Sequence, residues 1–277
     1  MISLMSKWVE EMKKFKNVNT SCIVKGAELD TIIKLEENFT LLNLKVGEYS
    51  LPWVQGGCTD GKYLYEFMIS QDSKHCVIVK YDLATQKIVA RSEDMMLGHA
   101  NDGAYNPNDN SLAIVHCLDP EKPTSNIVYI VDAESLKLKC SYELPEYDTF
   151  EITYDENTRR YITCSEKAMF YWDESFNLLD RKEISITPGW PSQGIECDGE
   201  YVYRLEFFLG KGGEDPSTMK NNIHVNDIET GEETALIPLN MDRESENIFI
   251  YDGKFYVSCN DKKWRGCEVY SFDIVSK

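Results

Sequence analysis

Five times along this chain a β-rich run closes on an aspartate and enters a polar turn: residues 77–82, 127–132, 168–173, 223–227 and 267–273, marked by Asp82, Asp132, Asp173, Asp227 and Asp273. Successive aspartates stand 50, 41, 54 and 46 residues apart. That interval fits a four-stranded unit repeated about an axis, which recurs roughly every 40–50 residues. Aspartate suits the position because its short carboxylate bonds the backbone two residues on and starts a tight reversal. A further strand then leaves each turn, over 87–91, 136–142, 178–183 and 234–239. Upstream lie two more strands, in the first unit 57–59 and 63–69, joined by Asp60-Gly61, a strong hairpin dipeptide. Asp198-Gly199 and Asp252-Gly253 repeat that turn, and Asn106-Pro107 and Asp155-Glu156 stand in its place in the second and third units. The pattern predicts an all-β chain forming one five-bladed β-propeller of four-stranded antiparallel blades, near 53–96, 98–145, 147–186, 190–240 and 243–277.

The fifth unit runs out after its third strand, and an uncovered sheet edge invites aggregation. The strand-like stretch 39–46 precedes the first unit and is expected to close the ring as the missing outer strand. The hairpin-like segment 31–39 would suit a sixth blade, but only five hairpin-plus-aspartate units can be counted. Residues 1–17 carry Ile2, Met5, Trp8, Val9, Met12 and Phe15 at helical spacing among Lys and Glu, which predicts an amphipathic helix packed on the domain. Acidic residues stand where a signal peptide needs an apolar stretch, and no run approaches the length of a bilayer span.

With 42% hydrophobic and 12% aromatic residues the chain can fill a sizeable core. Its 29 basic against 47 acidic residues give a formal charge of −18, which repels a phosphate backbone and an anionic membrane surface alike. Neither nucleic acid nor a membrane is therefore expected as a partner. The nine cysteines are odd in number, scattered and without a CxxC pair. They read as reduced packing thiols in a cytoplasmic protein.

In such a ring the first strand of every blade lines a central channel, so the residues opening those strands converge at one mouth. Counting five back from Asp60, Asn106, Asp155, Asp198 and Asp252 gives Gln55, Asn101, Phe150, Gln193 and Asn247, four of them carboxamides. The next positions hold Gly56, Asp102, Glu151, Gly194 and Ile248, and His99 precedes the second strand in Gly98-His99-Ala100-Asn101-Asp102. Gln55, His99, Asn101, Asp102, Glu151, Gln193 and Asn247 are accordingly the expected site for a small polar molecule, sugar-like or a peptide end. The competing reading is internal packing, with the amides bonded to neighbouring backbone and trapped water. Two further alternatives stay open: an enzyme, a hydrolase, lyase or cyclotransferase using Asp102 or Glu151 as acid and base, and a scaffold whose protein partner docks on the blade edges or the 1–17 helix.

No GxSxG, HExxH or phosphate-cradling glycine loop is present, and the glycines of 210–213 read as an outer loop. No catalytic residue is assigned. No cofactor and no metal are expected, since the channel oxygens lack a calcium-loop spacing. His75, His116 and His224 show no partner pattern along the sequence.

The repeats Gln55-Gly56 to Asp60-Gly61 to Tyr65-Glu66, and Gln193-Gly194 to Asp198-Gly199 to Tyr203, resemble the blade openings of the plant-type glutaminyl cyclotransferases. The last unit, with Asn247, the run 255–259, Trp264 and the strand 269–274, is similar in order to that family's final blade. The layout is shared over 53–274 and implies a five-bladed propeller. The family's catalytic glutamate would fall at Asn101 and its last-blade lysine near Asn260, so the resemblance implies the fold without those two groups. The 98–102 segment also resembles uncharacterised bacterial propeller proteins, for which no chemistry is established.

Overall fold

The computed structural model describes residues 25–34, 45–46, 49–51, 53–116, 126–144, 149–165, 167–184, 190–208, 220–260 and 267–275. Strand β1 (Lys25–Lys34) and the short pair β2 (Lys45–Val46) and β3 (Tyr49–Ser50) precede the repeats. Blade 1 is β4 (Trp53–Thr59), β5 (Tyr63–Ile69), β6 (Cys76–Asp82) and β7 (Lys87–Arg91). Blade 2 is β8 (Asp102–Asn106), β9 (Ser111–His116), β10 (Ile127–Asp132) and β11 (Leu138–Glu143). Blade 3 is β12 (Glu151–Asp155), β13 (Arg160–Cys164), β14 (Ala168–Trp172) and β15 (Leu178–Glu183). Blade 4 is β16 (Ser192–Cys197), β17 (Tyr201–Phe208), β18 (Lys220–Asp227) and β19 (Glu233–Leu239), and blade 5 contributes β20 (Ser245–Tyr251), β21 (Lys254–Asn260) and β22 (Cys267–Val275). Each blade is an antiparallel meander. The inner strands β4, β8, β12, β16 and β20 touch one another in turn around a common axis.

The marker aspartates act as the turn chemistry requires. Asp82 and Asp132 each accept the amide and the hydroxyl of the residue three on, Thr85 and Ser135. Asp173 accepts the amides of Ser175 and Asn177, and Asp227 those of Glu229 and Thr230. Asp273 differs, lying inside β22 rather than at its end. The first hairpins repeat just as closely in blades 1 and 4. Asp60 caps the amides of Lys62 and Tyr63 and takes the Tyr65 hydroxyl at 2.8 Å. Asp198 caps Glu200 and Tyr201 and takes the Tyr203 hydroxyl at 2.8 Å. Gly61 and Gly199 follow with φ of 81° and 85°, a backbone region that glycine enters without a Cβ penalty.

The core is divided into five wedges, each between neighbouring blades. Phe67, Ile78 and Leu112 join blades 1 and 2, and Val115, Ile152 and Phe170 join blades 2 and 3. Met169 with Val202 joins blades 3 and 4, Leu205 with Val257 joins blades 4 and 5, and Phe249 with Leu64 closes the circle. Second strands are buried along almost their whole length, whereas β11 and β15 at the rim are mostly exposed. Among the described residues no helix is long and apolar enough to cross a membrane.

Ring closure departs from expectation. The strand on the edge of β22 is β1, antiparallel from Lys25↔Val275 to Lys34↔Glu268. It also touches β19 in parallel at Ala27↔Leu239, so blades 4 and 5 share one eight-stranded sheet. The 39–46 segment does not fill that edge: Lys45–Val46 pair with Tyr49–Ser50, and 39–44 lie outside the described residues. The physical reason is length, since the nine-residue β22 needs a partner that follows it throughout, and the ten-residue β1 does so. The 1–17 helix also lies outside the described residues, and of the 31–39 hairpin the residues 31–34 belong to β1.

Candidate functional site

The inner strands start at one mouth of the channel and end at the other. At the starting mouth, three of them carry an extra, bulged residue: Gln55 in β4, Gln193 in β16 and Glu246 in β20. A bulge re-aims side chains without ending the strand. Glu246, not Asn247, therefore shares the level of Gln55 and Gln193. The one-residue slip arises at the turn. Asp252-Gly253 are the two central residues between paired Tyr251 and Lys254, whereas the Asp60 and Asp198 amides still bond across their hairpins to Tyr63 and Tyr201.

Asn247 accordingly belongs to the next level, with Gly56, Asp102, Glu151 and Gly194. Here neighbouring blades come into direct contact. Asp102 Oδ2 accepts the amides of Ile152 and Ile195 at 3.0 Å each, reaching from blade 2 to blades 3 and 4. A methyl group on Gly194 would stand 3.3 Å from Asn247 Cα and 3.6 Å from Asp102 Oδ1. One on Gly57 would lie 2.6 Å from Asn247 Nδ2 and 3.1 Å from Glu66 Oε2, so β5 also sends a carboxyl to this region. Asp102, Glu151, Glu66 and Asn247 are all buried. Asp102 Oδ1, Glu66 Oε2 and both polar atoms of the Asn247 amide have no hydrogen-bond partner, and around Glu151 stand the Ser192 side chain and the Gly194 amide.

Burial governs the acidity of these groups. It pushes Glu66 up to about 8 against the opposing Ser258 hydroxyl, which donates at 2.6 Å. It also pushes Glu151 up to about 8, with the Arg204 guanidinium pulling the other way. Asp102 is raised well above the usual carboxylate range, again chiefly by burial and despite its two backbone donors.

Above this layer the amides do not form one ring. Gln55 Nε2 donates to its neighbour Val54 and to Glu246 at 3.4 Å, and Gln193 Nε2 donates to Glu244 at 2.7 Å. Phe150 breaks the series, and Asn101 is half-buried beside His99. The His99 amide donates to His116 Nδ1 at 2.9 Å, and burial together with His116 lowers the His99 ring to about 4. Asn260, where the resemblance would put a lysine, is fixed between the Val54 backbone and Glu246. Of the expected site residues, the structure thus brings together Asp102, Glu151 and Asn247, sets Gln55 and Gln193 against blade 5 carboxyls, and places His99 and Asn101 at the entrance to blade 2.

The other mouth is hollow. A cavity of about 310 Å³ lies among the ends of the inner strands, lined by Asp60, Asp155, Glu196 and Asp198 with Cys58 and Tyr105. Glu196 accepts the Thr153 hydroxyl at 3.0 Å and the Cys197 amide at 2.8 Å, and burial raises it to about 7. No group of three or more His, Cys, Asp or Glu among the described residues is placed to hold a metal.

Residues that sequence reasoning passed over include Glu66, Glu196, Arg204, Glu206 and His224. A signal existed for three of them. Glu66 interrupts the apolar strand YLYEFMI, and Arg204 and Glu206 interrupt YVYRLEFF. A charge inside a second strand is buried by the architecture and needs a partner or a role. The histidines without a partner pattern along the sequence find partners in space: His75 with Asp94 at 2.7 Å, between the segments before β6 and after β7, and His224 with Glu206 at 2.7 Å across strands.

No family model matches the sequence, and no curated protein matches it. Among solved structures the chain is similar to the glutaminyl cyclase of Myxococcus xanthus, with a TM-score of 0.59 and 11% identity over 92% of this chain and 100% of that one. It also matches the hydrazine synthase of Kuenenia stuttgartiensis with a TM-score of 0.44 and 16% identity, over 79% of this chain and 59% of that one. The first likeness bears out the propeller architecture that the sequence resemblance implied, and at 11% identity it speaks for the fold alone.

Proposed function

We propose that this propeller binds a small polar ligand at the mouth where its inner strands begin, seated on Asp102, Glu151 and Asn247 beneath Gln55, His99, Asn101 and Gln193. One observation carries the reading: buried oxygens and an amide around the axis have no partner. Each unsatisfied buried group costs about 1–3 kcal/mol, and a ligand that pairs with several of them recovers that energy on binding. The raised acidity constants of Glu66 and Glu151 leave them protonated near neutral pH, so the site offers donors as well as acceptors. A sugar-like molecule or a peptide end, rich in both, matches this set. The buried free thiols Cys58, Cys76, Cys164, Cys259 and Cys267 support a reducing compartment.

The test is calorimetric titration of the full chain with a panel of neutral sugars and short peptides, followed by Asn247→Ala and Asp102→Asn on the tightest binder. At least tenfold weaker binding in variants that keep the wild-type circular dichroism is expected. Unchanged affinity in both would remove the site.

A second reading, an enzyme with Glu151 as general acid, is favoured by that carboxyl's position at about 8, close to where an acid works best at neutral pH. Peptides with amino-terminal glutamine are the first substrates to try, given the Myxococcus neighbour's name. Glu151→Gln should abolish any turnover found and Glu151→Asp should restore part of it. Equal turnover in Glu151→Gln and wild type would dismiss this reading.

A further inference from the structure

A row of alternating charge crosses the interior of blade 4. It starts near the rim at Glu233 on β19, which is 11% exposed and meets Nδ1 of His224 on β18. His224 Nε2 lies 2.7 Å from Glu206 Oε2 on β17, and Glu206 Oε1 accepts Nη2 of Arg204 at 3.4 Å. Arg204, wholly buried, pairs across the hairpin with Ile195, whose amide shares Asp102 Oδ2 with that of Ile152, the neighbour of Glu151, and from there its charge opposes the effect of burial on the Glu151 carboxyl. His224 and Glu206 are 4% and 1% exposed, so all three central members are out of water.

The fold does not need these charges. The first hairpins of blades 1 and 4 are built alike, Asp60 with Tyr65 matching Asp198 with Tyr203. The same offset from each aspartate sets Arg204 against Glu66 and Glu206 against Met68. Arg204 faces His224 across the sheet where Glu66 faces Val79, and Asn226 faces Glu233 where Tyr81 faces Ile88. Blade 1 therefore fills the places of Glu206, His224 and Glu233 with Met68, Val79 and Ile88. Replacing a buried ion pair by apolar side chains of similar volume is often neutral or stabilising, so packing alone gives no account of a four-member charged row here.

We propose that this row makes the protonation of Glu151 depend on His224, with Arg204, Glu206 and His224 as positioning residues for the axial site. It rests on the reading of Glu151 as the acid of that site. Protons do not hop the length of the row, because a guanidinium keeps its proton. The coupling is electrostatic. When His224 is charged it neutralises Glu206, and the field of Arg204 falls on Glu151 and favours its carboxylate. When His224 is neutral, the Glu206 charge opposes Arg204, and Glu151 holds its proton more firmly. The other titratable groups facing Glu151 are Asp102 on β8 and Cys164 on β13; those facing His224 are Glu206, Glu233 and Arg204. Burial works against a charged His224, yet the two glutamates outweigh it and hold the ring above its ordinary value.

The experiment is a carboxyl-¹³C titration of the full chain, without ligand, with the Glu151 signal assigned by its loss in Glu151→Gln. His224→Gln is expected to move the Glu151 midpoint up and Glu206→Gln to move it down, each by on the order of one pH unit. Opposite signs are the decisive feature, since general loosening of the blade would shift both variants the same way. Shifts of one sign, or none, in folded variants would overturn the proposal. If either single variant fails to fold, the double variant Glu206→Met with His224→Val copies blade 1. Wild-type Glu151 should then show an inflection at the midpoint of the His224 ring signals that the double variant lacks, and a wild-type curve without that inflection overturns the coupling. No ligand enters this measurement. Loss of the proposed binding function would leave the titration result standing, and the reverse also holds.

Discussion

At the mouth where the inner strands begin, Asp102, Glu151 and Asn247 fill the axis and several of their polar atoms lack partners. At the mouth where the same strands end, the carboxylates of Asp60, Asp155 and Asp198 surround a cavity and each is spent on its own turn. The two ends differ in what the backbone asks of an acidic side chain. A hairpin presents amides that a carboxylate caps, so an acidic side chain there has a structural role. At the strand openings Asp102 spends one oxygen on the amides of Ile152 and Ile195 and leaves the other without a partner, and burial drives the carboxyls there toward their neutral form.

The sharpest way to break this contrast is to remove the cation beside the filled end. Arg204→Leu should lower stability by about 3–5 kcal/mol in urea, because Glu206 loses one of its two buried cationic partners and keeps only His224. The pH dependence comes next. Glu66 and Glu151 have folded acidity constants raised to about 8, above those of the unfolded chain. Their contribution is therefore fully present below the unfolded value near pH 4 and is lost as pH rises toward 8, with a slope of on the order of 1.4 kcal/mol per pH unit per group. His224, also raised, acts in the same sense above pH 6.5. The protein should be most stable in mild acid, and Glu151→Gln should flatten the urea-unfolding curve between pH 5 and 8 and surpass wild type at the alkaline end. A wild type that gains stability from pH 5 to 8 would contradict this account of the filled end.

At the hollow end the expected effects are smaller. Gly199→Ala forces a Cβ into a positive-φ turn and within 2.0 Å of the Asn157 amide, for a loss of about 1–2 kcal/mol. Gly61→Ala, whose side faces open space, should lose less in the same thermal melts. Tyr203→Phe removes one bond to Asp198 and should lower stability by about 1 kcal/mol, seen as faster amide exchange confined to the β16–β17 hairpin.

The turns were legible because an aspartate before a tight reversal reports its own local backbone, and the blade count followed from their spacing. The axial site was legible only in part. Asp102 and Glu151 fell on the right level, but Asn247 was set one level too early, because Asp252 sits inside its turn while Asp60 and Asp198 sit before theirs. Bulges at Gln55, Gln193 and Glu246 leave no mark on composition. Ring closure by β1 depends on a pairing across most of the chain, which no local pattern encodes. The charged row in blade 4 crosses from β19 to β17, so Glu233 and His224 touch 9 residues apart and His224 and Glu206 18 apart, and only Arg204 and Glu206 are close in sequence. Only the odd charges within β5 and β17 hinted at it.

The position of β1 bears on the order in which the molecule can be assembled. It joins the sheet between β19 and β22, so this strand, translated ahead of every blade, cannot complete its pairing until the last one has emerged. Contacts of such sequence separation form late. Nascent chains should therefore hold an uncommitted early strand through most of synthesis and lock it in place as the final event of folding.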